Sequence, residues 1–240
     1  MQEWKIAYVN QREVPVLISD EKEALLAAKA AGRAIIGLWR PEQSLDESSA
    51  ARYVVEQVED ATDRYLERVA RRHLGFPWHI CETNRLRIRE MFADDFDEVW
   101  ENQIGLGFGT VEELQAYTKN QYAFYEFGFW ALVEKESGAL VGVAGLKIPE
   151  EVDAEHQDVL FFNTKKTDSM ECPEENSEIL ELGYHIFRRF RRQGYAREAC
   201  EAIMKYGHEE LNTERFMVRI NKENTVSHHL ANSLGFQVGD

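Results

Sequence analysis

The chain has few cysteines and no long apolar run. Three cysteines among 240 residues are too few and too unevenly placed for a disulfide framework or a zinc cluster, so we expect a reducing cytosol and no metal site. No apolar run approaches the ~20 residues that a membrane-spanning helix needs. Residues 1–5 also lack the basic region and apolar core of a signal peptide. We therefore expect a soluble, cytoplasmic protein with no membrane partner.

Positive charge is also scarce. The chain has 28 Lys and Arg residues against 43 Asp and Glu residues, which leaves a net charge of −15. A surface of this sign repels phosphates, which argues against nucleic acid or an anionic membrane as a broad-surface partner. A hydrophobic fraction of 44% with 30% charged residues is ordinary for a globular protein. The length allows one large domain, or a medium domain with a small one.

Against this acidic background, residues 181–236 combine a strand, an arginine-rich turn, a helix and a second strand in that order. The turn fits the pattern Arg/Gln-x-x-Gly-x-Gly/Ala, with the residues Arg191, Arg192, Gln193, Gly194, Tyr195 and Ala196. Successive main-chain N–H groups at the beginning of a helix, together with the helix dipole, favour a pyrophosphate. Arg188, Arg189 and Arg197 extend the basic island, and a solvated charged turn is the alternative interpretation of these arginines alone.

Two further motifs follow the turn at fixed distances, Asn224-Thr225-Val226-Ser227 and Leu234-Gly235-Phe236. The set of spaced motifs resembles the GCN5-related N-acetyltransferases (GNAT), and within them the branch of the ribosomal-protein N-terminal acetyltransferases. The resemblance covers about residues 83–240. It implies an α/β (α+β) fold with a mixed central sheet and flanking helices.

The same resemblance implies acetyl-CoA as the cofactor and transfer of its acetyl group to a primary amine, by direct attack in a ternary complex. The amine would belong to a protein N-terminus or to a small molecule. A non-catalytic acyl-CoA-binding or regulatory protein is the alternative from another class.

Cofactor contacts are implied along the strand end, the turn and a later helix. In the resembled fold this strand splays from its neighbour and leaves main-chain groups free for the pantetheine arm. The implied cofactor-binding residues are Ile186, Phe187, Arg188, Arg191, Arg192, Gln193, Gly194, Tyr195, Ala196, Arg197 and Asn224.

Two residues are candidates for the chemistry. An alkyl ammonium must lose a proton before it attacks, since its pKa lies near ~10.4, and Glu181 on the strand is our candidate base. The alternative interpretation is a structural acid on a solvated strand face, paired with an arginine. His185 shares the face of Glu181 and is a candidate relay. Many relatives place a tyrosine near the thiol, but at the matching helix this chain offers Ser227, either as a proton donor or as a small packing residue.

The N-terminal part, residues 1–78, has its own pattern. A strand at 14–19, a helix at 21–31 and a strand at 34–39 predict a parallel βαβ unit with a right-handed crossover. A third strand at 53–55 and a helix at 62–73 follow. The module resembles the closing portion of a haloacid-dehalogenase-type fold, yet Asp20 is followed by Glu21 and not by the pattern Asp-x-Asp, so phosphatase chemistry is not expected.

The second domain is predicted over residues 83–240. We expect strands at 84–90, 129–134 and 140–147, and helices at 94–102 and 111–127 that overhang the acceptor site in the resembled fold. Residues 149–177 form an insertion with a short strand near 159–162, which either covers the acceptor pocket or contacts a neighbouring subunit. After Phe236 the final hairpin of the family has no room, so we expect a shortened C-terminus, or a last strand that is missing or supplied by a second copy in a homodimer.

Overall fold

The computed structural model describes residues 1–40, 50–102, 106–150, 156–163 and 179–238. The strands are β1 (Gln2–Val9), β2 (Arg12–Ser19), β3 (Ala34–Leu38), β4 (Val54–Val55), β5 (His79–Glu82), β6 (Leu86–Glu90), β7 (Phe129–Glu134), β8 (Leu140–Lys147), β9 (Gln157–Asn163), β10 (Ile179–Ile186), β11 (Arg215–Asn221) and β12 (Gln237–Val238). The helices are α1 (Lys22–Ala30), α2 (Asp63–His73), α3 (Phe96–Glu101), α4 (Val111–Tyr125), α5 (Tyr195–Leu211) and α6 (Thr225–Ser233). In the described ranges no helix is both long and apolar enough to cross a membrane.

The chain divides into two compact units. One consists of residues 1–78 with 115–126, and the other of residues 79–114 with 127–240. We expected all of the helix at 111–127 in the second domain, but most of α4 groups with the N-terminal residues. Arg68 pairs with Glu126 at 2.6 Å and the Arg52 guanidinium donates to the carbonyl of Lys119 at 3.3 Å, which explains this difference.

The first unit is built on a four-stranded sheet in the order β1-β2-β3-β4. β2 and β3 are parallel and joined through α1, as the sequence predicts, and β3 is parallel to β4. β1 was not predicted, and it pairs antiparallel with the whole of β2 through a turn at Asn10 and Gln11. Apolar side chains of α2 complete the core on one face of this sheet, with Leu66 and Val69 both at 2% exposure or less. The resemblance of the unit to a haloacid-dehalogenase-type fold stays a prediction.

The second unit is a mixed sheet of eight strands in the order β12-β9-β11-β10-β8-β7-β6-β5. β10 and β11 are parallel, and the other neighbouring pairs are antiparallel. α5 packs across β8 and β10. Gly207 of α5 permits a close approach, because a Cβ atom there would lie 2.9 Å from the Phe216 ring of β11. This is the mixed central sheet with flanking helices that the sequence predicts.

The predicted short strand near 159–162 is confirmed as β9, but its position was not foreseen. β9 pairs antiparallel with β11 along its whole length and with β12 on its other side. The place beside β11 is therefore filled by the same chain and is not left for a neighbouring subunit. The remainder of the insertion, at 151–155 and 164–178, lies outside the described residues.

Candidate active site

The site begins with a gap between the two parallel strands. β10 and β11 pair only at residues 179–181 with 215–217, although β10 continues to Ile186 and β11 to Asn221. Beyond Glu181, β10 keeps its partner β8 on one side while β11 turns to β9 on the other. The splay implied by the resemblance is thus present, and its apex is at Glu181.

Successive N–H groups of a strand point in opposite directions, which identifies the main-chain groups of β10 that face this gap. The N–H of Phe187 donates to the Val141 carbonyl of β8 at 2.9 Å. Because amide direction alternates along a strand, the N–H groups of Ile186 and Tyr184 point the other way, towards the gap, while that of Leu182 still faces Met217 in the paired part of β11. Such a row of free groups can pair with an extended amide-containing ligand as another strand would.

One of the predicted main-chain contacts is therefore wrong. The Phe187 N–H is occupied by Val141, its carbonyl accepts from the N–H of Phe190 at 2.8 Å, and its side chain is fully buried. Ile186 keeps its N–H facing the gap, while its carbonyl accepts from Nε of Arg191 at 2.9 Å. Strand parity, counted back from the turn, indicates Tyr184 in place of Phe187.

The arginine-rich turn presents donors that the chain itself does not use. Within the described residues, no main-chain N–H from Arg192 to Ala196 donates to another protein group. Arg192 and Gly194 have φ values of 61° and 85°, and both lie just before α5. A turn with left-handed residues next to a helix N-terminus gathers N–H groups into a concave anion site.

The arginines around this turn differ in how they are held. Arg188 and Arg192 are exposed and make no ion pair with any residue that the structure describes. Arg189 lies 3.3 Å from Glu98, and Arg197 lies 3.6 Å from Glu201 one helical turn further on. Arg188 and Arg192 are therefore the side chains best placed to receive phosphate charge.

Three residues that the sequence analysis did not single out brace the turn. The Glu198 carboxylate accepts hydrogen bonds from the Thr83 hydroxyl at 2.5 Å, from the Arg85 N–H at 2.8 Å and from Arg85 Nε at 2.7 Å. Arg85 Nη1 then donates to the Gln193 carbonyl at 2.8 Å, and its guanidinium lies 4.5 Å from the centroid of the Tyr195 ring. Arg85 and Glu198 thus hold the turn through the Gln193 carbonyl, which leaves the free N–H groups of the turn unoccupied.

Glu181 is buried, with 7% of its surface exposed, and lies between two cations. Its Oε2 is 3.4 Å from Nη2 of Arg219 and 3.6 Å from Nζ of Lys147. Both contacts are ion pairs, and this oxygen accepts no hydrogen bond from the described residues. The carboxylate can therefore still accept a hydrogen bond or a proton at the apex of the gap. It is also paired with an arginine, as the alternative interpretation of a structural acid expected.

His185 lies on the same face of β10, four residues beyond Glu181, and is half-buried. Burial and the nearby charge of Arg191 lower the pKa of its imidazole, which favours the neutral ring. Between the two, a Cβ atom at Gly183 would lie 2.7 Å from the Phe129 ring. The aromatic ring of Phe129 thus covers the strand at Gly183, and a direct relay from Glu181 to His185 would have to pass it.

Ser227 and Asn224 lie at the beginning of α6. The Asn224 side-chain oxygen accepts the N–H of Ser227 at 3.2 Å and so caps the helix. The hydroxyl of Tyr184 is buried and makes no hydrogen bond to the described residues, and the Ser227 side chain lies near enough to influence its pKa. Burial raises the pKa of Tyr184 to about 12 even though Ser227 opposes the shift, so the phenol is neutral at physiological pH. Tyr184 is a polar group beside Ser227 that the motif search missed.

Cys200, inside α5, is fully buried, and burial strongly raises the pKa of its thiol. A thiol is nucleophilic as the thiolate, so this residue is unsuited to carry an acyl group.

The chain is similar in sequence to several known proteins. The acetyltransferase (GNAT) domain family matches residues 85–237. The uncharacterized N-acetyltransferase p20 of Bacillus licheniformis is 40% identical over 57 residues, which are 24% of this chain and 32% of the relative. The uncharacterized N-acetyltransferase YnaD of Bacillus subtilis is 32% identical over 57 residues, 24% of this chain and 34% of the relative. The matches thus span about a third of the length of these relatives.

Among solved structures, an acetyltransferase of the GNAT family from Bacillus anthracis is 20% identical, with a TM-score of 0.44, and the match covers 66% of this chain and 82% of that one. An acetyltransferase from Agrobacterium tumefaciens is 18% identical, with a TM-score of 0.46 and coverage of 65% and 81%. The domain family matches well over half of the chain and includes β10, the turn, Arg85, Glu198 and α6. The chain belongs to the GNAT acetyltransferase family.

Proposed function

We propose that this protein is a cytoplasmic, acetyl-CoA-dependent N-acetyltransferase that acts on a primary amine. The observation that carries the proposal is the pairing of two features in one unit. Free N–H groups at residues 192–196 lie at the beginning of α5, and the gap that opens beyond Glu181 lies on the strand leading to them. The N–H groups at 192–196 suit a pyrophosphate, and the gap suits a pantetheine arm. Both groups belong to one ligand, coenzyme A.

The residues present fit that ligand. Arg188, Arg192 and the N–H groups of the turn would hold its phosphates, and the amides of Ile186 and Tyr184 would pair with its arm. When bound, acetyl-CoA supplies the acetyl group as a thioester. The N–H of Tyr184, the first free amide of β10 beyond the apex, is the main-chain donor placed to support developing negative charge on the carbonyl oxygen.

Glu181 would take the proton that the acceptor ammonium must lose, either directly or through one water. Lys147 and Arg219 hold its carboxylate at the apex while leaving Oε2 without a hydrogen bond. The attacking nitrogen then forms a bond to the acetyl carbon, the carbon–sulfur bond breaks, and a proton is needed at the sulfur. Ser227, beside the neutral phenol of Tyr184, is the candidate donor of that proton.

The acceptor is a protein N-terminus or a small-molecule amine, in keeping with the resemblance. A non-catalytic acyl-CoA-binding protein remains the rival function. It is favoured only by the ion pairs on Glu181, since a carboxylate held by Lys147 and Arg219 can also be purely structural.

One experiment separates these functions. Release of free thiol from acetyl-CoA is measured over a panel of amines and N-terminal peptides, and coenzyme A binding is measured by calorimetry. We expect Glu181→Gln to lower kcat by about 100-fold, the usual size of a general-base contribution, and to leave the Kd of coenzyme A nearly unchanged. Glu136→Gln, at an exposed position of the β7–β8 turn, is the matched control. Binding without amine-dependent thiol release from the wild-type protein would establish the rival function.

A further inference from the structure

The first unit exposes a complete edge strand. β1 lies at the end of the four-stranded sheet and, among the residues that the structure describes, pairs with β2 alone over eight regular residue pairs, with no bulge. Natural proteins protect such edges with proline, bulges, short strands or lysine. β1 has no proline and no bulge, it spans eight residues, and its lysine, Lys5, donates to the Val58 and Ala61 carbonyls of its own chain. The open edge is therefore available for pairing with another strand.

The side chains on one face of β1 are apolar and exposed. Trp4, Ile6 and Tyr8 have exposed fractions of 53%, 51% and 61%. α1 packs on β2 and β3, and a groove of about 710 Å³ separates its alanine-rich side from Trp4. The three side chains form a contiguous stripe at alternate positions, which differs from the scattered exposed apolar residues of an ordinary surface.

The hairpin turn fixes which amides face outwards. Asn10 and Gln11 both have positive φ, and the residues that flank them, Val9 and Arg12, are paired. In a two-residue hairpin the flanking pair exchanges hydrogen bonds, so every second residue of β1 back from Val9 bonds to β2. The N–H and carbonyl groups of Gln2, Trp4, Ile6 and Tyr8 consequently point away from the sheet.

We propose that β1 pairs antiparallel with β1 of a second copy of this chain, about a two-fold axis at Trp4. In this register Trp4 lies opposite Trp4 of the other copy, and Ile6 lies opposite Gln2. Glu3 lies opposite Lys5 on both sides of the axis, so the opposite charges meet twice. Each outward-facing residue in the overlap exchanges main-chain hydrogen bonds with its counterpart.

The charges select this register over its neighbours. A shift of the axis by one residue to Lys5 would place the two lysines opposite each other, which is repulsive. A shift to Ile6 would set Lys5 opposite Ala7 and Glu3 opposite Val9, so neither charge would gain a partner. A second copy of this chain thus fits the edge better than an unrelated extended peptide, which would use the main-chain groups but not Glu3 and Lys5.

The full chain tests this by sedimentation equilibrium over a range of concentrations. We expect a reversible dimer at twice 27.9 kDa. Trp4→Lys places like charges across the axis and should raise the dimer Kd about tenfold or more, whereas Leu26→Lys, at a similarly exposed position of α1, should leave it unchanged. A protein that stays monomeric at every concentration, or a dimer that Trp4→Lys does not weaken, overturns the proposal.

A charge exchange identifies the register. Glu3→Lys and Lys5→Glu should each weaken self-association about tenfold or more, and an equimolar mixture of the two variants should form a heterodimer, measured by native mass spectrometry. Nζ of Lys5 also donates to the Val58 carbonyl at 2.9 Å, so thermal unfolding of Lys5→Glu is recorded first. If that variant does not fold, Glu3→Lys and Trp4→Lys decide the question. Unchanged self-association of Glu3→Lys, or a mixture of folded variants without a heterodimer, contradicts the pairing.

Discussion

Arg85 binds Glu198 through both its main chain and its side chain. The main-chain N–H meets one carboxylate oxygen at 2.8 Å, while Nε and Nη2 meet the other at 2.7 and 2.6 Å. The same guanidinium donates to the Gln193 carbonyl within the turn. One side chain therefore joins the start of β6, the first turn of α5 and the proposed phosphate site.

Removing this side chain should loosen the turn. We expect Arg85→Ala to raise the Kd of coenzyme A about tenfold, the equivalent of one charged hydrogen bond, with a much smaller change in kcat. Arg85→Lys should restore little of the lost affinity, because a single ammonium cannot bind Glu198 and Gln193 at the same time as a planar guanidinium does. Calorimetry and steady-state kinetics measure both quantities. Arg87→Ala, two residues further on and within β6, should behave as wild type, and equal affinities for the two alanine variants would refute the bracing role.

The same contact should make stability depend on acid pH. Burial by itself raises the pKa of the Glu198 carboxyl, but hydrogen bonds from Thr83 and Arg85 outweigh burial and lower that pKa. The unfolded chain then binds the proton first as pH falls below about 4.3, so this contribution to the free energy of unfolding is present above that pH and is lost below it. The urea midpoint of Glu198→Gln should therefore fall less steeply between pH 5 and 3. Glu209→Gln on the same helix is the control, and it should keep the wild-type slope.

Gly194 allows a comparison of backbone strain with site geometry. Gly194 and Gly138 both have positive φ, at 85° and 72°, and Gly138 has open space around it in the β7–β8 turn. Alanine at either position should cost about 1–2 kcal/mol of stability. At Gly194 the Cβ atom would also lie 3.3 Å from Nη2 of Arg85, so only that variant should lose affinity for coenzyme A. A Gly194→Ala protein that binds coenzyme A as tightly as Gly138→Ala would argue against a phosphate site at this turn.

Ser227 and Tyr184 should act together on the departing thiol. We expect Ser227→Ala and Tyr184→Phe each to lower kcat by about tenfold or more, while the double variant loses little beyond the larger single effect, because the two side chains are neighbours and would serve the same proton transfer. Pre-steady-state thiol release separates this step from product dissociation. Fully additive effects would show that the pair does not function as a unit. A kcat unaffected by either change would remove Ser227 from the mechanism.

Local patterns predicted the elements whose partners are close in sequence. The βαβ order of β2, α1 and β3, the helix opening at Gly194 and the strand that holds Glu181 all follow from periodicity and turn residues. β1 shows where such patterns fail. Its alternation is that of a strand, yet the larger apolar side chains of Trp4, Ile6 and Tyr8 face outwards and the small Ala7 and Val9 are buried. Periodicity gives two faces but not which of them meets the core.

The contacts that brace the site were harder to predict. Thr83 and Arg85 precede Glu198 by more than a hundred residues, and nothing local indicates that a charged strand residue should meet a helix there. The occupied N–H of Phe187 depends on the register with β8, which the sequence does not define. Long-range pairing and strand register are settled only when the sheet is complete.

The location of β9 has a consequence for how the chain folds. β9 hydrogen-bonds to β11 and β12, which lie beyond β10 and α5 in the sequence. β9 can therefore complete its pairing only after α5 and α6 have formed. Such distant pairing carries a high loop-closure entropy and is completed late. Until then β11 is an uncovered parallel strand, and a newly made chain shortened within 215–221 would leave Leu160 and its neighbours without a partner strand. The slow step of maturation should therefore be the closing of this flank, ahead of any encounter with acetyl donor.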